Sequence, residues 1–376
     1  MGCPGLIASI DTDSIKKMNC LYSEICVDMM SFIYSIVAMQ KFEEGDEDQI
    51  AGIVKFYLKS TLMKLIDKCP HEDKFKLTLV VDGIAPSSKR ARNTTRLSTF
   101  VKRILVRHRM DPIWKYLITQ VESKWPNCKV RGVRHHGEAE AYGWSSQATS
   151  TVDIFDTKKL SLQMEPTSNR TIVLSCDSDI IIYDMLNNSI KVDAGYIDKR
   201  SNQLLTTSYL KTANSQRYKV VLLTLVVSYG CDYLEAMYTP SKKKEYFFKV
   251  KQYVDKYYDQ YWNAIKQHVV ITMIPLPILY KLAFPIIWSC IYTIASTRKR
   301  LPIESDDLEA ALASQWKMFN NFIDYVCKGK RINFNVENVS HIKTTSAAVY
   351  YQNEFNSLLA KETNNIYIKH LTVCQN

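Results

Sequence analysis

Lys76–Asp82 reads KLTLVVD, an apolar, β-branched run that stops at a carboxylate. Two other stretches share this plan, Glu24–Asp28 (EICVD) and Thr171–Asp177 (TIVLSCD). Each has the length and side chains of a buried strand. Between the first two, Met29–Met39 and Ile50–Lys68 carry helical spacing, separated by the acidic turn Glu43–Asp48. Strands alternating with helices predict an α/β fold, a mostly parallel central sheet flanked by helices. In such sheets ligands sit beyond the carboxyl ends of the strands, and Asp28, Asp82 and Asp177 stand there.

The rest of the composition fits a folded protein with a polyanionic partner. The chain has 376 residues, 46% of them hydrophobic, and a formal net charge of +11. That length allows one large or two smaller domains, and basic surface attracts phosphates by releasing their counterions. The ten cysteines form no CxxC pair or regular spacing, which argues against zinc ribbons and disulfide scaffolds and for reduced thiols in an intracellular protein. The start lacks a basic region followed by a sustained apolar one, so no signal peptide is expected. MGCPGL has Leu6 where a myristoylation signal wants Ser or Thr. The apolar stretch Val269–Ala295 is cut by Pro275, Pro277, Lys281 and Pro285 into pieces too short for a membrane span, and reads as buried core helices.

Ser87–Trp125 is basic and helical in character. Lys89, Arg90, Arg92, Arg96, Lys102, Arg103, Arg107, His108 and Arg109 fall close together directly after a strand end. Lys89 and Arg96 are seven residues apart, two helical turns, and so face one side. Gln147–Arg170 is rich in Ser and Thr and reads as a loop insertion on the surface. A core over 1–240 and a helical C-terminal region over 241–376, rich in Tyr and Phe, are the expected domains.

The most specific local features are paired acids. Glu138 and Glu140 lie in HHGEAEAYGW, Asp177 and Asp179 in SCDSDIII, and Asp232 follows the helix-like run Tyr218–Tyr229. Residues two apart on a helix do not share a face, so one glutamate would meet a metal directly and the other through water. Two apart in an extended turn they do share a face. A phosphodiester is a poor electrophile wrapped in negative charge, and two divalent ions can activate water and stabilise the leaving oxygen. Magnesium prefers oxygen ligands, which suits carboxylates from several segments. The bland alternative is that an Asp at a strand end caps a helix or forms a turn, and for Asp28 or Asp82 alone it carries equal weight. His135 and His136 lack HExxH spacing, and no Walker or dinucleotide-binding glycine pattern is present.

These residues resemble the flap endonuclease and XPG-type 5′ nuclease superfamily, from about Met1 to Met237. MGCPGL is similar to that family's start, VDMMSFIY to its first acidic motif, VVDGIAPSSKRARNTTR to its second conserved segment, and GEAEAYG, DSDIIIY and YGCDYLEAM to its later acidic motifs. The resemblance implies a PIN-like core with seven metal-site acids, Asp28, Asp82, Glu138, Glu140, Asp177, Asp179 and Asp232. It implies two Mg²⁺ ions, replaceable by Mn²⁺. It makes Lys89 and Arg96 the cations that grip the scissile phosphate, and Tyr34 a residue that stacks on a substrate base. Arg90, Arg92, Lys102 and Arg103 would line an arch along a single strand. The implied partner is nucleic acid, with branched or single-strand-containing DNA favoured over RNA, no membrane, and replication proteins as candidate associates. The implied setting is the nucleus or a cytoplasmic viral replication site.

The resemblance has a boundary. The family continues past GCDY into a glycine-rich helix–two-turn–helix that binds duplex, whereas this chain reads EAMYTPSKKKEYFF over Glu235–Phe248. That departure is similar to viral, poxvirus-type members. It also keeps open an RNA-cleaving relative of the host-shutoff or 5′→3′ exoribonuclease kind, and, third, an inactive nucleic-acid-binding protein on the same scaffold.

Overall fold

Strand β1, Tyr22–Asp28, runs through the middle of an eight-stranded sheet. The computed structural model describes residues 3, 6–9, 21–38, 52, 55–56, 58–82, 110–135, 138–144, 151–153, 160–161, 170–187, 189, 191–198, 204–206, 216–266, 276–296 and 308–327. The chain divides into two compact units: Asp11–Thr212 with Met1–Gly2, and Ala213–Asn376 with Cys3–Ile10.

In the first unit β1 lies between β2 (His71–Val81) and β6 (Thr171–Ser175), parallel to both. Strand β3 (Lys129–Arg134) continues the parallel sheet beyond β2, and β7 (Val192–Ile197) continues it beyond β6. The three apolar runs that end in acids are therefore the three central strands. The edges are antiparallel, with β4 (Thr151–Asp153) and β5 (Leu160–Ser161) beyond β3, and β8 (Leu204–Thr206) beyond β7. The order is β5-β4-β3-β2-β1-β6-β7-β8. Chain order runs outward from β1 to β3 and then restarts on the other side of β1 with β6. The carboxyl ends of β1 and β6 thus border a topological switch point, where open α/β sheets bind ligands.

The Ser/Thr-rich stretch 147–170 differs from the surface loop expected of it, because β4 and β5 fall inside it. Three and two residues are too few to show a period of two in sequence. Their pairing covers the edge of β3, which would otherwise present open backbone groups.

Paired residues on neighbouring strands point to the same face. One face carries Ile25 and Val27, Leu77 and Leu79, and Ile172 and Leu174, all fully buried. They join one apolar cluster with Met29, Phe32 and Ile33 of α1 (Met29–Ala38), Leu65 and Ile66 of α2 (Met63–Lys68), and Leu117 and Val121 of α3 (Met110–Lys124). Burial of each such side chain contributes roughly 1.5–3 kcal/mol before chain entropy is counted. This face is where the sheet gains its stability. Helix α2 stops at Cys69, whose extended backbone (ψ 118°) is what the following Pro70 requires. The opposite face carries the polar side chains, Glu24 and Asp28 on β1, Lys76 and Thr78 on β2, Arg131 on β3, and Ser175 on β6, with Cys26, Val80 and Val173 buried among them. A short 3-10 helix, Ala139–Trp144, and helix α4 (Asp179–Asn187) also belong to this unit.

The second unit is helical: α5 (Gln216–Tyr229), α6 (Lys243–Lys266), α7 (Leu276–Leu282), α8 (Phe284–Ser296) and α9 (Leu308–Cys327). The turn Leu6–Ser9 packs on α5 and α6. From Val220 to Tyr229 every residue of α5 is buried, so it forms the centre of this unit. Pro277 and Pro285 sit in the first turns of α7 and α8, where a missing N–H costs nothing. The apolar stretch 269–295 is thereby split, and no described helix is long and apolar enough to cross a membrane. The eight described cysteines are free thiols.

Candidate metal centre

Three carboxylates meet at the carboxyl end of the sheet. Oxygen atoms of Asp28, Asp82 and Glu140 lie within 4.8 Å of one another. Asp28 is the last residue of β1, and Asp82 directly follows β2. Glu140 comes from the 3-10 helix and is 3% exposed; Asp28 is 2% exposed. At an effective dielectric near 20, each pair of full charges at this separation repels by about 3 kcal/mol. Three such pairs approach the whole stability of a typical domain, roughly 5–15 kcal/mol. The cluster therefore needs either protons or a cation. Its donors are all carboxylate oxygens, the set preferred by hard divalent ions such as Mg²⁺, Mn²⁺ or Ca²⁺.

Local folding explains how each acid is held. Asp28 closes the start of α1: its Oδ1 accepts the Ser31 N–H at 3.1 Å, while the Ser31 hydroxyl donates to the Asp28 carbonyl at 3.0 Å. The first bond is an N-cap of α1, and the second is a local bond from the Ser31 side chain back to the carbonyl three residues earlier. Asp28 Oδ2 accepts the Ser175 hydroxyl at 2.7 Å. Asp82 Oδ1 accepts the Ala139 N–H at 2.8 Å, at the start of the 3-10 helix. In a 3-10 helix residues three apart eclipse, so Glu140 points the same way as Gly143. Gly143 packs onto the sheet so closely that a Cβ there would lie 2.4 Å from Val173 Cγ2. Glu140 is thus aimed inward at the strand ends.

Burial pushes the Asp28 carboxyl above its ordinary value. Hydrogen bonds from Ser175 and Ser31 oppose that shift, and the charge of Asp177 adds to it. A buried carboxylate held above its usual range is a group that gains from a neighbouring cation.

The other acids singled out in the sequence take varied positions. Glu138 is 2% exposed and immediately precedes the 3-10 helix, with its carbonyl accepting the Ala141 N–H. Asp177 follows β6, and its Oδ1 accepts the Asp179 N–H at 3.1 Å at the start of α4. Asp179 is the first residue of α4 and is buried. Asp177 is near enough to act on Asp28 electrostatically, but neither it nor Asp179 nor Glu138 belongs to the set of three. Asp232 is buried in the second unit. There Gly230, at φ 70°, ends α5 in the left-handed region, and a tight turn pairs Cys231 with Leu234 around Asp232. A Cβ at Gly230 would come 2.6 Å from the Ala236 nitrogen, so this turn requires glycine twice over.

Tyr34 lies on α1, and its side chain is outside the described residues. Lys89, Arg90, Arg92, Arg96, Lys102 and Arg103 also fall outside them. His135 is fully buried after β3; its backbone N–H donates to the Val81 carbonyl, and its ring stands edge-on to Tyr142.

Sequence reasoning missed two serines. Ser175 is fully buried; it holds Asp28 and accepts the Asp177 N–H at 2.9 Å. Ser31 Oγ accepts the Cys176 N–H at 3.0 Å and so ties α1 to the end of β6. Asp28 ahead of the apolar run Met29–Met39 is a legible N-cap signal, but nothing in that signal singles out Ser31. For Ser175 only its place two residues before Asp177 hints at a role.

No family model matches the chain, and no curated protein matches it in sequence. Among solved structures it is similar to the catalytic core of Rad2 in complex with DNA substrate, at 14% identity over 80% of this chain and 79% of that one, with a TM-score of 0.35. It is similar to the bacteriophage T5 D15 flap endonuclease in a pseudo-enzyme–product complex with DNA and metal ions, at 11% identity over 81% and 99%, with a TM-score of 0.32. A third is the T5 5′-exonuclease with bound zinc, at 12% identity over 81% and 98%, with a TM-score of 0.31. At such scores these likenesses carry no weight for the chemistry, and the metal centre rests on this chain's own carboxylates.

Proposed function

We propose that this chain is a divalent-metal-dependent nuclease of the flap-endonuclease kind, hydrolysing phosphodiester bonds in DNA during replication, repair or recombination. The observation that carries the reading is the convergence of Asp28, Asp82 and Glu140 within 4.8 Å at the switch point of a parallel sheet. Asp28, Asp82 and Glu140 hold the ion. A bound divalent ion would supply an activated water and neutralise charge on the phosphate. Asp177 and Asp179, at the next strand end, are the natural holders of a second ion, and Glu138 reaches the site through water. Lys89 and Arg96 grip the scissile phosphate, Arg90, Arg92, Lys102 and Arg103 guide the strand, and Tyr34 stacks on a base. Mg²⁺ is the proposed ion, with Mn²⁺ able to replace it.

RNA is the second substrate reading. The absence of glycines in Glu235–Phe248, where duplex-binding relatives carry them, favours it. Cleavage of a 5′-flap DNA and a single-stranded RNA, side by side with Mg²⁺ or Mn²⁺, separates the two. Flap cleavage that is lost in Asp82→Asn/Glu140→Gln supports the proposal. Preferential cutting of RNA transfers the same site to RNA, and a double variant as active as the parent removes the site assignment altogether. The expected loss exceeds the roughly 10–100-fold seen when groups merely adjacent to metal ligands are changed.

A further inference from the structure

Glu24 is a buried carboxylate that the metal centre does not use. It is 4% exposed and shares a sheet face with Asp28, four residues further along β1. At about 3.3 Å per residue that places it roughly 13 Å away, too far to hold the same ion. Its partners lie on the next two strands. The Thr78 hydroxyl donates to Glu24 Oε1 at 2.6 Å, and Arg131 Nε donates to Thr78 Oγ1 at 3.3 Å. Lys76 Nζ and a terminal nitrogen of Arg131 each stand 3.8 Å from the same carboxylate oxygen.

Arg131 does not end there. Its terminal nitrogen donates to the Tyr142 hydroxyl, and Tyr142 lies two residues after Glu140 in the 3-10 helix. Tyr142 is 1% exposed, and its phenol oxygen accepts the Arg131 donor inside the fold. The 3-10 helix is consequently fixed at three places. Asp82 holds the Ala139 N–H at its start, Arg131 holds Tyr142, and Gly143 is pressed against Val173. Glu140 lies between the first two.

We infer that the Glu24–Arg131–Tyr142 chain is a positioning device for the metal centre, setting the height and rotation of the short helix that brings Glu140 to Asp28 and Asp82. The physical reason lies in the choice of side chains. A phenylalanine ring at 142 would fill the same volume without burying a polar atom. The hydroxyl adds one interaction, the directional one with Arg131, and Arg131 is itself oriented by a carboxylate held from two strands. A 3-10 helix of six residues has few bonds of its own, so its rotation must be set from outside. Partners one step removed from a ligand tune metal affinity in this way.

This inference rests on the proposed metal centre, and the test keeps the two apart. Mn²⁺ binding to the full chain is measured by titration calorimetry and by the electron paramagnetic resonance spectrum of the bound ion. The variants are Tyr142→Phe, Arg131→Met, their double, and Asp82→Asn as a ligand control. Tyr142→Phe should weaken Mn²⁺ binding about tenfold and alter the spectrum, with the melting temperature of the metal-free protein little changed. The double variant should bind no worse than Arg131→Met alone, because the two residues act as one unit. A parent that binds no Mn²⁺, or an Asp82→Asn variant that binds it as the parent does, overturns the metal centre itself. Binding lost in Asp82→Asn but unchanged in affinity and spectrum in Tyr142→Phe overturns the positioning role alone. So does a loss in Tyr142→Phe matched by an equal loss of metal-free stability.

Discussion

The two faces of the central sheet are made by alternate residues of the same strands, yet they do opposite work. On one, Ile25, Val27, Leu77, Leu79, Ile172 and Leu174 are sealed under helices. On the other, Glu24, Thr78 and Arg131 form a polar ladder that leads to Asp28, Asp82 and Glu140. The apolar face gains from every contact and asks only for volume. The polar face assembles like charges that repel until a cation or protons join them. Stability and chemistry are thus separated by one residue of register, and a slip by one would exchange them.

The widest test of that separation is Leu79→Ala, which should lower stability by about 2–5 kcal/mol. Denaturant unfolding would measure it, with the rate per folded molecule preserved at low temperature. A comparable fall in that rate would mean that the faces are coupled.

Next in size is the response to pH without metal. Burial raises the folded-state value of Asp28 above its unfolded one. Its contribution is therefore fully present below the unfolded value, near 3.8, and is lost as pH rises through the folded value. Metal-free melting temperature should fall over that interval, and Mg²⁺ should reverse the fall. A hundredfold excess over the dissociation constant is worth about 2.7 kcal/mol. Asp82→Asn should raise the metal-free stability, the opposite sign to Leu79→Ala. Melting curves at several pH values, with and without Mg²⁺, check all three; a flat profile would show that the polar face stores no repulsion.

Smallest is Ser31→Ala, which leaves the Asp28 cap of α1 in place, because that bond comes from the backbone N–H. It removes the hydroxyl's bonds to the Asp28 carbonyl and the Cys176 N–H and should cost about 1 kcal/mol. An effect on Mn²⁺ affinity larger than on melting temperature would show that Ser31 serves the polar face before it serves the helix.

Much of this was readable in the chain. KLTLVVD, EICVD and TIVLSCD announced three buried strands, and their terminal acids announced the end of the sheet that matters. Buried parallel strands are apolar with a short break, a local signal that needs no tertiary context. The polar ladder was not readable, because Glu24, Thr78 and Arg131 are separated by 54 and 53 residues and only the register unites them. Glu138 and Glu140 were visible as a pair. Which of them joins the cluster depended on the 3-10 geometry that puts Glu140 over Gly143. The edge strands β4 and β5 were hidden by their brevity.

The capping bonds of Asp28, Asp82 and Asp177 bear on how such a site could decay over evolutionary time. Each acid accepts a backbone N–H at the start of a helix, so a lineage that no longer needed the ion would still be selected to keep an acceptor there. Asparagine satisfies that demand and removes the charge, whereas alanine leaves the helix start open. A descendant that has abandoned the chemistry should therefore show amides at 28, 82 and 177, a fossil of the ion recorded in the helix ends.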